Sequence, residues 1–206
     1  MYDFIDSWKN SELFKKQLNL NLTEISHESR YPFHWNEFIP FIKEINPSSI
    51  LDVGCGCGTI YKLCESHFPN IKYTGVDYSE EAISLAKETW KYDNFFTMDY
   101  KDLTKEYLEN FDLLYLGGLL PVLPNADEAL EYILSLDPKH VLISKITFTE
   151  SSSFYSTYKA YNVTTYDFRH NKQNFLDLCS KNNYLTRIWG SVESYQNAYL
   201  LREKYL

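Results

Sequence analysis

The apolar run SILDV (residues 49–53) passes directly into GCGCGT (54–59), which holds three of the seven glycines in the 206-residue chain. Glycine loses more conformational freedom on folding than any other residue. Three at alternate positions imply a backbone that needs positive φ, or that something lies against. A helical pattern follows from Ile60 to Phe68 and stops at Pro69. Strand, glycine turn and helix together present free N–H groups and a positive dipole end at the turn, a natural seat for a ligand.

The alternation continues. IKYTGVD (71–77) predicts a second strand and SEEAISLAKETW (79–90) a second helix, with Ser79 as N-cap and Ile83, Ala86 and Trp90 on one face. NFFTM (94–98) predicts a third strand, with a short helix near Leu103 to Glu109. FDLLYLGG (111–118) predicts a fourth, then a helix from Ala126 to Leu136, and KHVLISKITF (139–148) a fifth strand. Such alternation implies a mostly parallel sheet covered by helices. The segment 149–170, TESSSFYSTYKAYNVTTYDFRH, is polar and aromatic without a clean period. A helix (171–183) and two strand-like pieces, YLTRIWG and NAYLLREKYL, follow it. Residues 1–48 read as helical, most clearly WNEFIPFIKEI (35–45), where Pro40 marks an early-turn position or a kink. The expected organisation is one domain over 1–206: a helical N-terminal cover (1–48), a ligand-binding core (49–148), and a variable lid with the final strands (149–206).

The net charge of −8 disfavours a nucleic-acid partner, because displacing counterions from phosphates needs a basic surface. No apolar run approaches a membrane span, and the first residues lack a signal-peptide pattern. Of the four cysteines, Cys55 and Cys57 sit in the glycine loop, too constrained for a relaxed disulfide, and no Cys/His cluster has zinc spacing. The expectation is a reduced, cytoplasmic protein with no metal and no membrane association.

Two ligand classes compete for the glycine turn. A dinucleotide site reads G-x-G-x-x-G and holds an anionic pyrophosphate. Here the spacing is G-x-G-x-G, with Asp52 two residues ahead. A carboxylate there suits a nucleoside ligand that carries positive charge, and S-adenosyl-L-methionine is one, with its sulfonium and ammonium. LDVGCGCGT (51–59) is similar to the first motif of the class I S-adenosylmethionine-dependent methyltransferases, and later segments match that family in order. The resemblance covers roughly residues 49–148. It implies a Rossmann-like α/β fold: a mostly parallel seven-stranded sheet, helices on both faces, and an N-terminal helical segment. It also implies S-adenosyl-L-methionine as cofactor and S-adenosyl-L-homocysteine as product.

The resemblance further assigns residues. Asp52, Gly54, Cys55, Gly56, Gly58 and Thr59 form the cofactor turn. Asp77, ending the second strand, accepts the ribose hydroxyls, and Tyr78 packs on the adenine. Asp99 takes the adenine amino group beside the N–H of Tyr100. Gly117, at the end of the fourth strand, flanks the methyl group.

The chain departs from the family's specialised members. Pro121-Val122 stands where many relatives carry a histidine pair, and neither the N/D-P-P-Y motif nor a paired-glutamate loop is present. A small-molecule acceptor is therefore expected, methylated on oxygen or nitrogen, with the oligomeric state left open. A noncatalytic cofactor-binding regulatory protein and an RNA methyltransferase are the alternatives. An alcohol acceptor would need a base. His34 and His170 are the candidates, His170 the preferred one for its neighbours Asp167 and Arg169. YPFHW (31–35) and Tyr155, Tyr158, Tyr161 and Tyr166 form the expected aromatic cover over a cationic donor.

Overall fold

A computed structural model describes residues 5–190 and 195–205. The chain starts with two helices, α1 (Ser11–Ile25) and α2 (Phe33–Ile45). Then come β1 (Ser49–Val53), α3 (Thr59–His67), β2 (Lys72–Asp77), α4 (Glu80–Trp90), β3 (Phe95–Thr97) and the single turn α5 (Lys105–Leu108). β4 (Leu113–Gly117), α6 (Ala126–Ser135) and β5 (His140–Ile146) complete the alternating part. Beyond it lie β6 (Phe148–Thr149), β7 (Phe154–Ala160), β8 (Val163–Asn171), α7 (Lys172–Lys181), β9 (Tyr184–Gly190) and β10 (Gln196–Arg202).

Seven strands form one sheet in the order β3-β2-β1-β4-β5-β10-β9. The first five are parallel, and β10 runs antiparallel between β5 and β9. The central strands are apolar almost throughout, because helices cover both faces; all five residues of β1 are buried. On one face Leu51, Val53, Leu114, Leu116 and Ile143 pack with Leu130 and Ile133 of α6 and Phe175 of α7. On the other, Ile50, Tyr73, Leu113 and Tyr115 pack with Trp35, Phe38 and Ile42 of α2 and Leu63 of α3. A third cluster sets Leu13, Phe14 and Leu18 of α1 against Cys57 and Ala82, so α1 lies across the glycine turn. The Trp90 indole N–H donates to the Cys57 carbonyl at 2.7 Å and fixes the turn from the α4 side. Ser79 caps α4 as expected, accepting from the Ala82 N–H.

Two expectations change and one is narrowed. Pro40 is in the interior of α2 and not in its first turn. The segment 149–170 is largely a regular hairpin: Ala160 pairs with Val163 across Tyr161 and Asn162, whose φ values of 53° and 73° give a two-residue turn. Its outer strand β7 is exposed on both faces except at Ala160, which is why no alternation shows in the sequence. The long run 139–148 is two strands. Lys145 adopts φ 63°, β5 ends at Ile146, and β6 leaves the main sheet to pair with β8.

This hairpin is tied to the N-terminus, where the Trp8 indole N–H donates to the buried Thr165 hydroxyl at 2.8 Å. Among the described residues no helix is long and apolar enough to cross a membrane.

Gly58 is the N-cap of α3 at φ 72°, and a Cβ there would lie 2.5 Å from Cζ of Phe95. Gly58→Ala adds left-handed strain to an overpacked contact. It should lower stability by about 2–4 kcal/mol in urea unfolding, and a loss below about 0.5 kcal/mol would contradict this packing.

Candidate functional site

The carboxyl ends of β1, β2 and β4 open onto one cleft, and its floor is the turn after β1. Gly54, Gly56 and Gly58 have φ of 75°, 53° and 72°. The Gly54 and Cys55 N–H groups donate to the Val76 carbonyl at 2.8 and 3.0 Å, which ties the turn to β2. Asp77, 7% exposed, completes the tie: Oδ2 accepts from the Gly56 N–H at 2.9 Å and Oδ1 from the Ser79 N–H at 3.0 Å. Burial pushes its carboxyl up to about 6 against the two N–H groups that hold it down, with Asp99 adding a like charge.

A cavity of about 330 Å³ sits on this floor. Gly54, Gly56, Asp77, Tyr78, Asp99, Tyr100 and Gly117, widely spaced in sequence, all line it. Asp99 also caps the short turn Tyr100–Asp102 by accepting from the Lys101 N–H at 3.0 Å. Tyr158 and Tyr195 line the outer part of the cavity and Trp8 and Lys9 the N-terminal side, with the Lys9 ammonium 5.2 Å from the Tyr78 ring centroid.

A second cavity, of about 230 Å³, adjoins the first and shares Gln17, Gly54, Gly56, Gly117 and Lys145 with it. Here lie Cys55 and Thr59, together with Asn21, Glu24 and His34. The Thr59 hydroxyl accepts from the Asn21 amide at 2.8 Å. The Cys55 thiol is pushed well up, by burial and then by Asp52, Asp77 and Cys57, so it stays protonated. Burial, and then the charge of Lys145, push His34 down to about 2, so its imidazole is neutral.

Three expected site residues, Asp52, His170 and Gly58, line neither cavity. Asp52 is 1% exposed and lines neither cavity; it lies within the sheet core and accepts from the Tyr73 hydroxyl at 2.6 Å. Burial pushes it up to about 7 in spite of that bond. Of Asp52 and Asp77, the acid facing the cleft is thus Asp77. His170, also 1% exposed, packs against Phe148, Phe168 and Phe175, and its Nδ1 lies 2.5 Å from Oδ1 of Asp127. It is a core histidine fastening β8 to the first turn of α6 and lines neither cavity, and this corrects its assignment as the base. The neighbours that recommended it, Asp167 and Arg169, pair with each other at 3.5 Å. Gly58 supports the turn by its fit against Phe95 and lines neither cavity.

Of the expected aromatic cover, Tyr158 and Tyr161 line the cavities, while Tyr155 and Tyr166 pack edge-to-face with each other at 5.1 Å. Sequence reading missed Lys145 altogether. Its signal was a lone cation inside the apolar run VLISKITF. Among the described residues no three His, Cys, Asp or Glu side chains are placed to hold a metal.

The strand order, with its antiparallel β10, and the acid-flanked glycine turn define a class I methyltransferase fold. Residues 51–136 match the family described as "Methyltransferase domain". The chain is similar to a malonyl-acyl-carrier-protein O-methyltransferase of Neorickettsia risticii, 50% identical over 42 residues, which are 20% of this chain and 17% of that one. It is also similar to an uncharacterized RNA methyltransferase of Clostridium acetobutylicum, 29% identical over 53% of this chain and 25% of that one. Among solved structures, the plantazolicin methyltransferase BpumL in complex with SAH aligns with a TM-score of 0.60 and 17% identity, over 97% of this chain and 96% of that one. The chain spans between 17% and 33% of the length of the curated relatives it matches. Its fold is that of the class I S-adenosylmethionine-dependent methyltransferases.

The Asp127–His170 pair makes a testable statement about pH. Burial alone would raise the Asp127 carboxyl, but hydrogen bonds with His170 and Ser153 outweigh it and hold the group below the usual carboxylate range. A depressed folded value contributes stability above the unfolded pKa of about 3.9, and that contribution is lost as pH falls through the folded value. Asp127→Asn should therefore be less stable than the parent by about 1–2 kcal/mol at pH 7. The gap in chemical unfolding should close below about pH 4, and a pH-independent gap would refute the assignment.

Proposed function

We propose that this chain is an enzyme that transfers the methyl group of S-adenosyl-L-methionine to an oxygen or nitrogen of a small acceptor, releasing S-adenosyl-L-homocysteine. The observation that carries the reading is the placing of Asp77 and Asp99 along one cavity whose floor is the glycine turn. The Asp77 carboxylate accepts the ribose hydroxyls, and the adenine lies between Tyr78 and the Asp99–Tyr100 edge, its amino group donating to Asp99. The methionine end lies along Gly54 to Gly56, its carboxylate towards the start of α3 at Thr59, where helix N–H groups and the dipole favour an anion. The relative BpumL, crystallised with SAH, supports the ligand class.

Methyl transfer is an in-line displacement at a sulfonium, so aligning acceptor and donor supplies most of the catalysis. His34, the histidine candidate that does line the second cavity, is too weakly basic at about 2 to take a proton from an alcohol near neutral pH. The acceptor is then nucleophilic when it arrives. A net charge of −8 works against an RNA substrate.

Titration calorimetry tests the reading. S-adenosyl-L-homocysteine should bind, and Asp77→Ala should weaken it about ten- to a hundredfold through loss of charged hydrogen bonds. Parent affinity should also fall as pH drops through about 6, because the protonated Asp77 is the poorer acceptor, and this dependence should vanish in the variant. Affinity for NAD equal to that for S-adenosyl-L-homocysteine, or an unaffected Asp77→Ala, would overturn the reading.

A further inference from the structure

Lys9, Lys101 and Lys145 line the first cavity, and of these Lys145 alone also lines the second; it has no task in the cofactor recognition proposed for the site. Lys145 lines both cavities and forms part of the wall between them. Room for it is made just past the end of the neighbouring β4: a Cβ at Gly118, φ 92°, would lie 3.2 Å from Cδ and 4.0 Å from Nζ of Lys145. Among the described residues the ammonium makes no hydrogen bond or salt bridge, and Glu24 acts on it only from longer range. Glu24 lines the second cavity alone, whereas the cation lines both. Burial draws the Lys145 pKa down, as expected for a charge short of a partner.

We infer that Lys145 receives an anionic oxygen of the methyl acceptor, so that the acceptors are small acids, carboxylates or acidic phenols, methylated on that oxygen. The inference rests on the methyltransferase reading above and deepens it. The donor's own carboxylate is the competing anion, since Thr59, towards which it points, lines the second cavity together with Lys145. β5 is two strands from β1, with β4 between them, and neighbouring strands are about 4.8 Å apart. The backbone at the end of β5 is therefore about 10 Å from that at the end of β1, so the variants below are chosen to tell an acceptor anion from the donor's carboxylate.

The chemistry balances without a base. The acceptor oxyanion forms the O–CH3 bond while the C–S bond breaks and its electron pair returns to sulfur. An anion and a sulfonium become a neutral ester or ether and a neutral thioether. No proton moves, which suits a site whose histidine, His34, is held neutral and weakly basic. An ammonium acceptor would instead meet the like charge of Lys145.

The test uses the protein saturated with S-adenosyl-L-homocysteine and matched acid and amide probes: benzoate with benzamide, phenylacetate with phenylacetamide, and salicylate with salicylamide. Calorimetry should show at least one acid bound about tenfold or more tighter than its amide, the scale of a charged hydrogen bond. Lys145→Met should abolish that preference and Lys145→Arg should retain it. Both variants should bind S-adenosyl-L-homocysteine and 5′-methylthioadenosine within about twofold of the parent, which also shows that they fold. Absence of any acid preference in the parent, or its survival in Lys145→Met, overturns the inference. It is equally overturned if Lys145→Met loses S-adenosyl-L-homocysteine but keeps 5′-methylthioadenosine, since the lysine then holds the donor's carboxylate. Failure of the parent to bind S-adenosyl-L-homocysteine overturns the methyltransferase reading itself.

Discussion

The cleft depends on the carboxylate of Asp77 and the two backbone N–H groups it accepts from, Gly56 and Ser79. One belongs to the turn after β1 and the other to the turn after β2, so a single side chain sets the distance between the loops that form the floor. It also begins α4, because Ser79, oriented by Asp77, is the residue that caps that helix. A carboxylate this buried is costly unless satisfied. Here backbone donors satisfy much of it while the group still lines the cavity. Binding site and scaffold therefore share one residue, and damage to either is damage to both.

Asp52 has the opposite fate for a similar reason. It lies in the middle of a strand covered on both faces, so its side chain points into packing and finds Tyr73 on β2. From the sequence the two acids look alike, each near the end of an apolar run. What separates them is register: Asp77 is the last residue of its strand, whereas Asp52 is followed by Val53 before the turn begins.

The parallel core was legible because its signals are local. Apolar runs, glycines at one turn and a serine cap each act within a few residues, and the observed β1, β2, β4 and α4 fall within about two residues of expectation. The cleft residues Asp77, Tyr78, Asp99 and Tyr100 were legible through the family resemblance, since strand ends on one edge of a parallel sheet must meet. Long-range facts were not legible. The companion of His170 is Asp127, 43 positions away, and nothing near His170 distinguishes a core histidine from a base. The hairpin β7–β8 escaped notice because its turn is Tyr161-Asn162, without the glycine that usually marks one, and because β7 is exposed on both faces. Lys145 escaped because a lone cation in an apolar strand has no meaning until the cavity behind it is known.

Lys145 also fixes the shape of the sheet. Its left-handed backbone falls one residue before β5 ends, and from there the chain departs to build β6 against β8. For a long side chain that conformation costs about 1–2 kcal/mol, which glycine would not incur. Random change at this position therefore meets two opposed pressures. Folding alone favours drift to glycine or asparagine, whereas the site requires a cation. A lineage that relaxed the backbone here would gain robustness and surrender the charge between its cavities.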